Sequence, residues 1–142
     1  MNWTRVSATV FGLAIIVFGA SASEADLHGD RKSAMRHMAH ALRVLNDNAF
    51  DAGQAHKRGS DVASTLQRLK ALFPAGSEHV DERSLPSIWT DRPGFEVART
   101  DAYDAALAVA KASDAASFRD AFANLARTCK ACHDKFADLT AP

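Results

Sequence analysis

Residues 114–139 read DAASFRDAFANLARTCKACHDKFADL. Phe118, Phe122, Leu125, Cys129, Cys132 and Phe136 alternate at spacings of four and three, the signature of one helical face turned to a core. Asp114 stands where a side-chain oxygen can cap the first backbone N–H groups. A helix with a single apolar seam needs partners, and the rest of the chain supplies them. Met35, Met38, Leu42 and Leu45 repeat the pattern over 27–48. Val62, Leu66, Leu69 and Phe73 repeat it over 60–73, and Val97, Tyr103, Leu107 and Ala110 line a third segment. Asn46-Asp47-Asn48 and Gly53 mark the first break; Pro74, Gly76, Pro86, Pro93 and Gly94 punctuate a longer connection. From residue 23 onward there is one Ile (Ile88), and only five Val and five Thr, while Ala is abundant. That composition favours helix over strand. The expected fold is all-α, an antiparallel four-helix bundle over 23–142.

The whole chain has 142 residues, 17 Lys+Arg against 17 Asp+Glu, two cysteines and 47% hydrophobic residues. The length suits one domain. The balanced charge gives no bulk attraction to nucleic acid or an acidic membrane. Two cysteines are too few for a disulfide scaffold. Residues 1–22 read as a secretory signal: Arg5, the apolar run 6–18, then Ala20-Ser21-Ala22. The run is shorter than the ~20 residues needed to span a bilayer, so no stable membrane anchor is expected after cleavage at Ala22, with Ala25 as the alternative. The remainder has 16 Lys+Arg against 17 Asp+Glu. Export to the periplasm follows, a compartment that oxidises exposed thiol pairs.

Both cysteines fall in Cys129-Lys130-Ala131-Cys132-His133. Cys-x-x-Cys-His is the attachment sequence of c-type haem. On a helix, residues three apart share a face, so both sulfurs can bond one flat ring. His133 can then turn its imidazole to the iron. A thioredoxin-type dithiol would sit beside a βαβ unit at a helix start, a setting this helical chain lacks. A structural zinc site would need a second ligand pair, and an accidental disulfide beside a surface histidine is the plain alternative. No acid/base pair or nucleophilic constellation is visible, so no enzyme is expected.

The motif, together with Arg31-Lys32-Ser33-Ala34-Met35 and Leu85-Pro86-Ser87-Ile88-Trp89-Thr90-Asp91, resembles the class II c-type cytochromes, which include cytochrome c prime. The resemblance covers the whole region after the signal. It implies one covalent haem c within the fourth helix, held by Cys129 and Cys132, with His133 as proximal ligand. It makes Met35, four residues after Arg31, the distal residue. Low-spin members of the family bind iron through such a Met, and the expectation here is a His133/Met35-ligated carrier of single electrons serving unidentified redox proteins. The alternative is a high-spin centre with an open distal face that binds nitric oxide or other small gases. The resemblance also makes Arg31 a haem-propionate partner, puts Trp89 near the haem, and allows a homodimer through the first two helices. Met38 reads as core. His28 shares Met35's face near the helix start, His37 and His40 fall on other faces, and His56 and His79 read as surface residues. One departure stands out: four residues after the haem-binding histidine the family commonly has a basic residue, but this chain has Ala137, and the nearest base is Lys135.

Overall fold

The computed structural model describes residues 24–141; the signal read over 1–22 lies outside the described residues. Four long helices dominate: α1 (Glu24–Asp47), α2 (Ala52–Leu69), α4 (Arg92–Ala110) and α5 (Ala115–Phe136). A 3-10 turn, Lys70–Leu72, prolongs α2, and a one-turn helix, α3 (Ser87–Thr90), precedes α4. Among the described residues there is no strand, only one isolated bridge between Ser84 and Ala137. The fold is a four-helix bundle.

The helix starts follow capping chemistry. Asp114 accepts from the backbone N–H groups of Ala116 and Ser117, both at 2.9 Å, and Ser117 answers by accepting from the Asp114 N–H. Asp51 accepts from Gln54 N–H at 2.7 Å and starts α2 eight residues before its apolar seam begins at Ser60. Gly53 therefore lies inside a helix rather than in the break. Pro93 and Gly94, expected in a loop, lie in the first turn of α4, where a missing N–H costs nothing. At the other end, Ala137 turns extended and closes α5 at Phe136, the last residue of its apolar seam and three residues before the expected end at Leu139.

Helix α2 packs most extensively on α4, α4 on α5, and α1 on α2. Small residues make the α2–α4 contact close. Ala55, Gly59 and Ala63 on α2 and Ala102, Ala105, Ala106 and Ala110 on α4 are all buried. A methyl group on Gly59 would lie 2.6 Å from Ala110 N and 2.8 Å from Ala106 O. The third seam departs from the expected one at Val97: Ala110 is buried, and Tyr103 and Leu107 are half-buried against the core. Val97 is 61% exposed, and the buried stripe runs through Phe95, Ala102, Ala106 and Val109. The eye finds large side chains first, and here the contact is made by small ones.

The opposite side of the bundle is less complete. The backbones of α1 and α5 make no extended contact. On α5 only Leu125 and Phe136 are fully buried. Phe118, Ala121, Phe122, Cys129 and Cys132 are half-buried and lean on the core, as do Met35 and Leu42 of α1. At one end of the bundle a chain of ring contacts, Trp89–Phe73–Phe95–Phe136, with centroids 5.9, 5.4 and 5.4 Å apart, joins the loop, α4 and the end of α5.

Candidate functional site

The seam between α1 and α5 carries the motif. At one end of it, Leu45 on α1 and Phe118 and Phe122 on α5 line the same hollow of about 270 Å³. The two helices run antiparallel from there. Met35 lies ten residues back along α1 and Cys129 eleven residues on from Phe118 along α5, each a rise of ~15 Å. Met35 therefore stands at the level of the thiols and His133. A larger open hollow of about 870 Å³ lies elsewhere, between α1 and the end of α2, lined in part by Asp30, His37, Arg68 and Lys70. It holds none of the motif residues.

Burial sets the chemistry of the three motif side chains. Cys129 and Cys132 are separate thiols. Burial raises both above the ordinary thiol range, Cys132 to about 11, with the neighbouring Cys129 adding to the effect. Burial lowers the His133 pKa, and nearby Asp134 only partly opposes this. The imidazole is therefore neutral near pH 7, the form whose lone pair can bind a metal. The inner face of α1 opposite is apolar: Met38 and Ala41 are buried, and Ala34, Met35 and Leu42 are half-buried. His28, His37 and His40 are all exposed.

Arg31 and Trp89 meet against the 72–84 loop. Arg31 is 4% exposed. Its Nε donates to Leu72 O at 2.8 Å, Nη1 to Asp81 Oδ2 at 2.6 Å, and Nη2 to Ser77 Oγ at 2.6 Å and Ser77 O at 3.2 Å. The guanidinium lies over the Phe73 ring at 4.4 Å and faces Trp89 at 5.5 Å. Trp89 is half-buried and donates from Nε1 to Pro74 O at 2.8 Å. The structure thus commits the Nε, Nη1 and Nη2 of Arg31 to protein acceptors in the 72–84 loop. Lys135, the base nearest Ala137, is paired with Asp91 at 2.6 Å and lies over the Phe136 ring. Sequence reading missed Asp81, Ser77 and Ser84. Asp81 is fifty residues from Arg31, beyond any local pattern, but Asp81 also accepts from the N–H groups of Arg83 and Ser84, an Asx turn that local turn chemistry could have flagged.

The arrangement fits a flat macrocycle. Two thiols share one helical face beside a neutral imidazole, and the facing helix stands off behind an apolar wall. A helical bundle with such a seam is the setting of a c-type haem protein. The family described as Cytochrome C' matches residues 26–137, and the chain belongs to that family. A cytochrome c' of Rhodospirillum rubrum is 32% identical over 97 residues, 66% of each chain. One from Alcaligenes xylosoxydans xylosoxydans is 35% identical over 97 residues, 66% of this chain and 74% of that one. Among solved structures, cytochrome c prime from Shewanella frigidimarina is 30% identical with a TM-score of 0.74, covering 84% of this chain and 99% of that chain. A variant of the Alcaligenes xylosoxidans protein, solved as its nitric oxide complex, is 26% identical with a TM-score of 0.73, covering 84% of this chain and 99% of that chain. The cofactor is covalently attached haem c, and the chain's only two cysteines stand in an attachment sequence. These relatives carry the cytochrome c' name, and this shifts the balance from the electron carrier expected first toward the gas-binding alternative.

Proposed function

We propose that the protein is a periplasmic gas-binding cytochrome c' whose haem is open on the face toward α1. Cys129 and Cys132 form the two thioether links, and neutral His133 supplies the proximal nitrogen. Haem iron held by these residues would supply a binding site for a small ligand. Met35, Met38, Ala34 and Leu42 make that side dry and free of nitrogen donors, and a dry apolar wall admits nitric oxide or carbon monoxide more readily than water or an anion. Met35 caps the wall without a bond to iron, and Trp89 packs at the loop edge of the site.

The observation that carries this reading is the inner face of α1. Opposite the motif it presents apolar side chains, while the histidines of that helix are exposed. The nitric oxide complex of a related protein supports it. One observation favours the electron carrier: the thioether of Met35 is a soft donor at the right level, and Met/His ligation suits redox cycling. Absorption spectra of the purified protein decide between them. A high-spin ferric spectrum, with prompt carbon monoxide binding after reduction, is expected. A low-spin ferric spectrum with a weak far-red band would return the assignment to a carrier. The proposal includes a homodimer through α1 and α2, checked by sedimentation at two concentrations.

A further inference from the structure

Helices α1 and α5 are joined at the motif end by an unbroken chain of bonded groups. Arg31 Nη1 donates to Asp81 Oδ2 at 2.6 Å. Ser84 donates to the same carboxylate twice, from N–H to Oδ1 at 2.8 Å and from Oγ to Oδ2 at 3.0 Å. Ser84 then bridges Ala137, through Leu85 N–H to Phe136 O at 3.2 Å and Asp138 N–H to Arg83 O at 2.9 Å. Ala137 in turn donates to His133 O at 2.9 Å. Asp81 and Ser84 are three positions apart, a reach of about 10 Å at most. The connection is therefore short as well as continuous.

Its two ends matter. Arg31 is one helical turn before Met35, and Ala137 is one turn after His133. We infer that the 77–85 loop is a strap whose Arg31–Asp81 tie sets the gap between the distal wall at Met35 and the proximal helix at His133, making Arg31 and Asp81 positioning residues for ligand entry. The tie is built to hold position. The guanidinium is buried against the rings of Phe73 and Trp89, and a forked donor keeps its geometry where a single ammonium would pivot. Ser77 Oγ anchors the loop further by donating to Pro74 O at 2.7 Å. Among the described residues the backbones of α1 and α5 make no extended contact. Loosening the tie lets α1 move from the seam, and the gap at Met35 changes with it.

This inference rests on the open distal face proposed above. The test compares haem-loaded wild type with Asp81→Asn and Arg31→Lys. The first reading is the rate of carbon monoxide association with the reduced protein. The second is backbone amide exchange at Leu85 and Asp138. In Asp81→Asn the association rate should change by about fivefold or more, the low end of ordinary coupling between sites, and both amides should exchange faster. Arg31→Lys, which keeps charge but loses the fork, should fall between. Lower stability with unchanged association rate and unchanged exchange would overturn the strap and leave a purely structural ion pair. Should Asp81→Asn fail to fold, Arg31→Lys alone carries the same two readings. A low-spin wild-type spectrum would overturn the open distal face, and amide exchange would still judge the strap.

Discussion

A carboxylate held against a buried guanidinium cannot be neutralised without consequence. Burial alone would raise the Asp81 pKa. Hydrogen bonds from Arg31 and Ser84 and the charge of Arg31 outweigh it, so the group sits below its ordinary 3.8. The sign then follows. A depressed carboxylate stabilises the fold fully above the unfolded-chain pKa, and that contribution is lost as pH falls through the lower folded value. Chemical denaturation should show a wild-type stability loss below about pH 4 that Asp81→Asn lacks. At neutral pH the same substitution should cost about 3 kcal/mol, the low end for removing one member of a buried pair. Met35 gives a contrasting outcome. Because it is half-buried filler in the proposed reading, Met35→Ala should cost only about 2 kcal/mol. The ferric protein should stay high-spin and bind carbon monoxide faster; a switch from low to high spin would instead reveal a lost iron bond.

Among the elements, α2 and α4 depend on glycine and alanine as the others depend on leucine and phenylalanine. Gly59→Ala should therefore destabilise by about 1–3 kcal/mol despite the gain in helix propensity, since the added methyl meets the α4 backbone and no flexible side chain can yield. Thermal melting checks it. Asp114→Ala should lower the melting temperature through the lost α5 cap. The same contrast explains what was legible in the sequence. The seam of α5, its cap at Asp114 and the attachment motif could be read directly, because periodicity and capping are local. The stripe through Ala102 and Ala106 could not, because alanine carries almost no hydropathy contrast, and Val97 drew attention from the wrong face. The start of α2 was lost for a related reason: Gly53 reads as a breaker until Asp51 is recognised as a cap. For the candidate site, Cys129, Cys132 and His133 were legible because a five-residue motif is local. Asp81 did not emerge, since its partner lies fifty residues away.

Across the molecule the packing is lopsided. One side, α2 against α4, is closed by backbone-to-backbone approach. The other, α1 against α5, is covered by half-buried side chains and one short loop. A cofactor that binds only the folded chain adds its binding energy to stability. A Cys129→Ala, Cys132→Ala double variant matured without covalent haem should melt about 10 °C or more below the haem-loaded protein. Amide exchange should speed up first in α1 and α5, while α2 and α4 keep their protection. Equal loss of protection in all four helices would refute that division. The helix bearing the attachment motif packs on α4 along one side and leaves Cys129, Cys132 and His133 only half-buried on its flank. This has a bearing on biogenesis. A ligation apparatus has to reach two thiols and a histidine on one face, and a fully clasped helix would hide them. A half-open face keeps them presentable while α5 is already packed on α4, and closing the seam against α1 would then cover the cofactor.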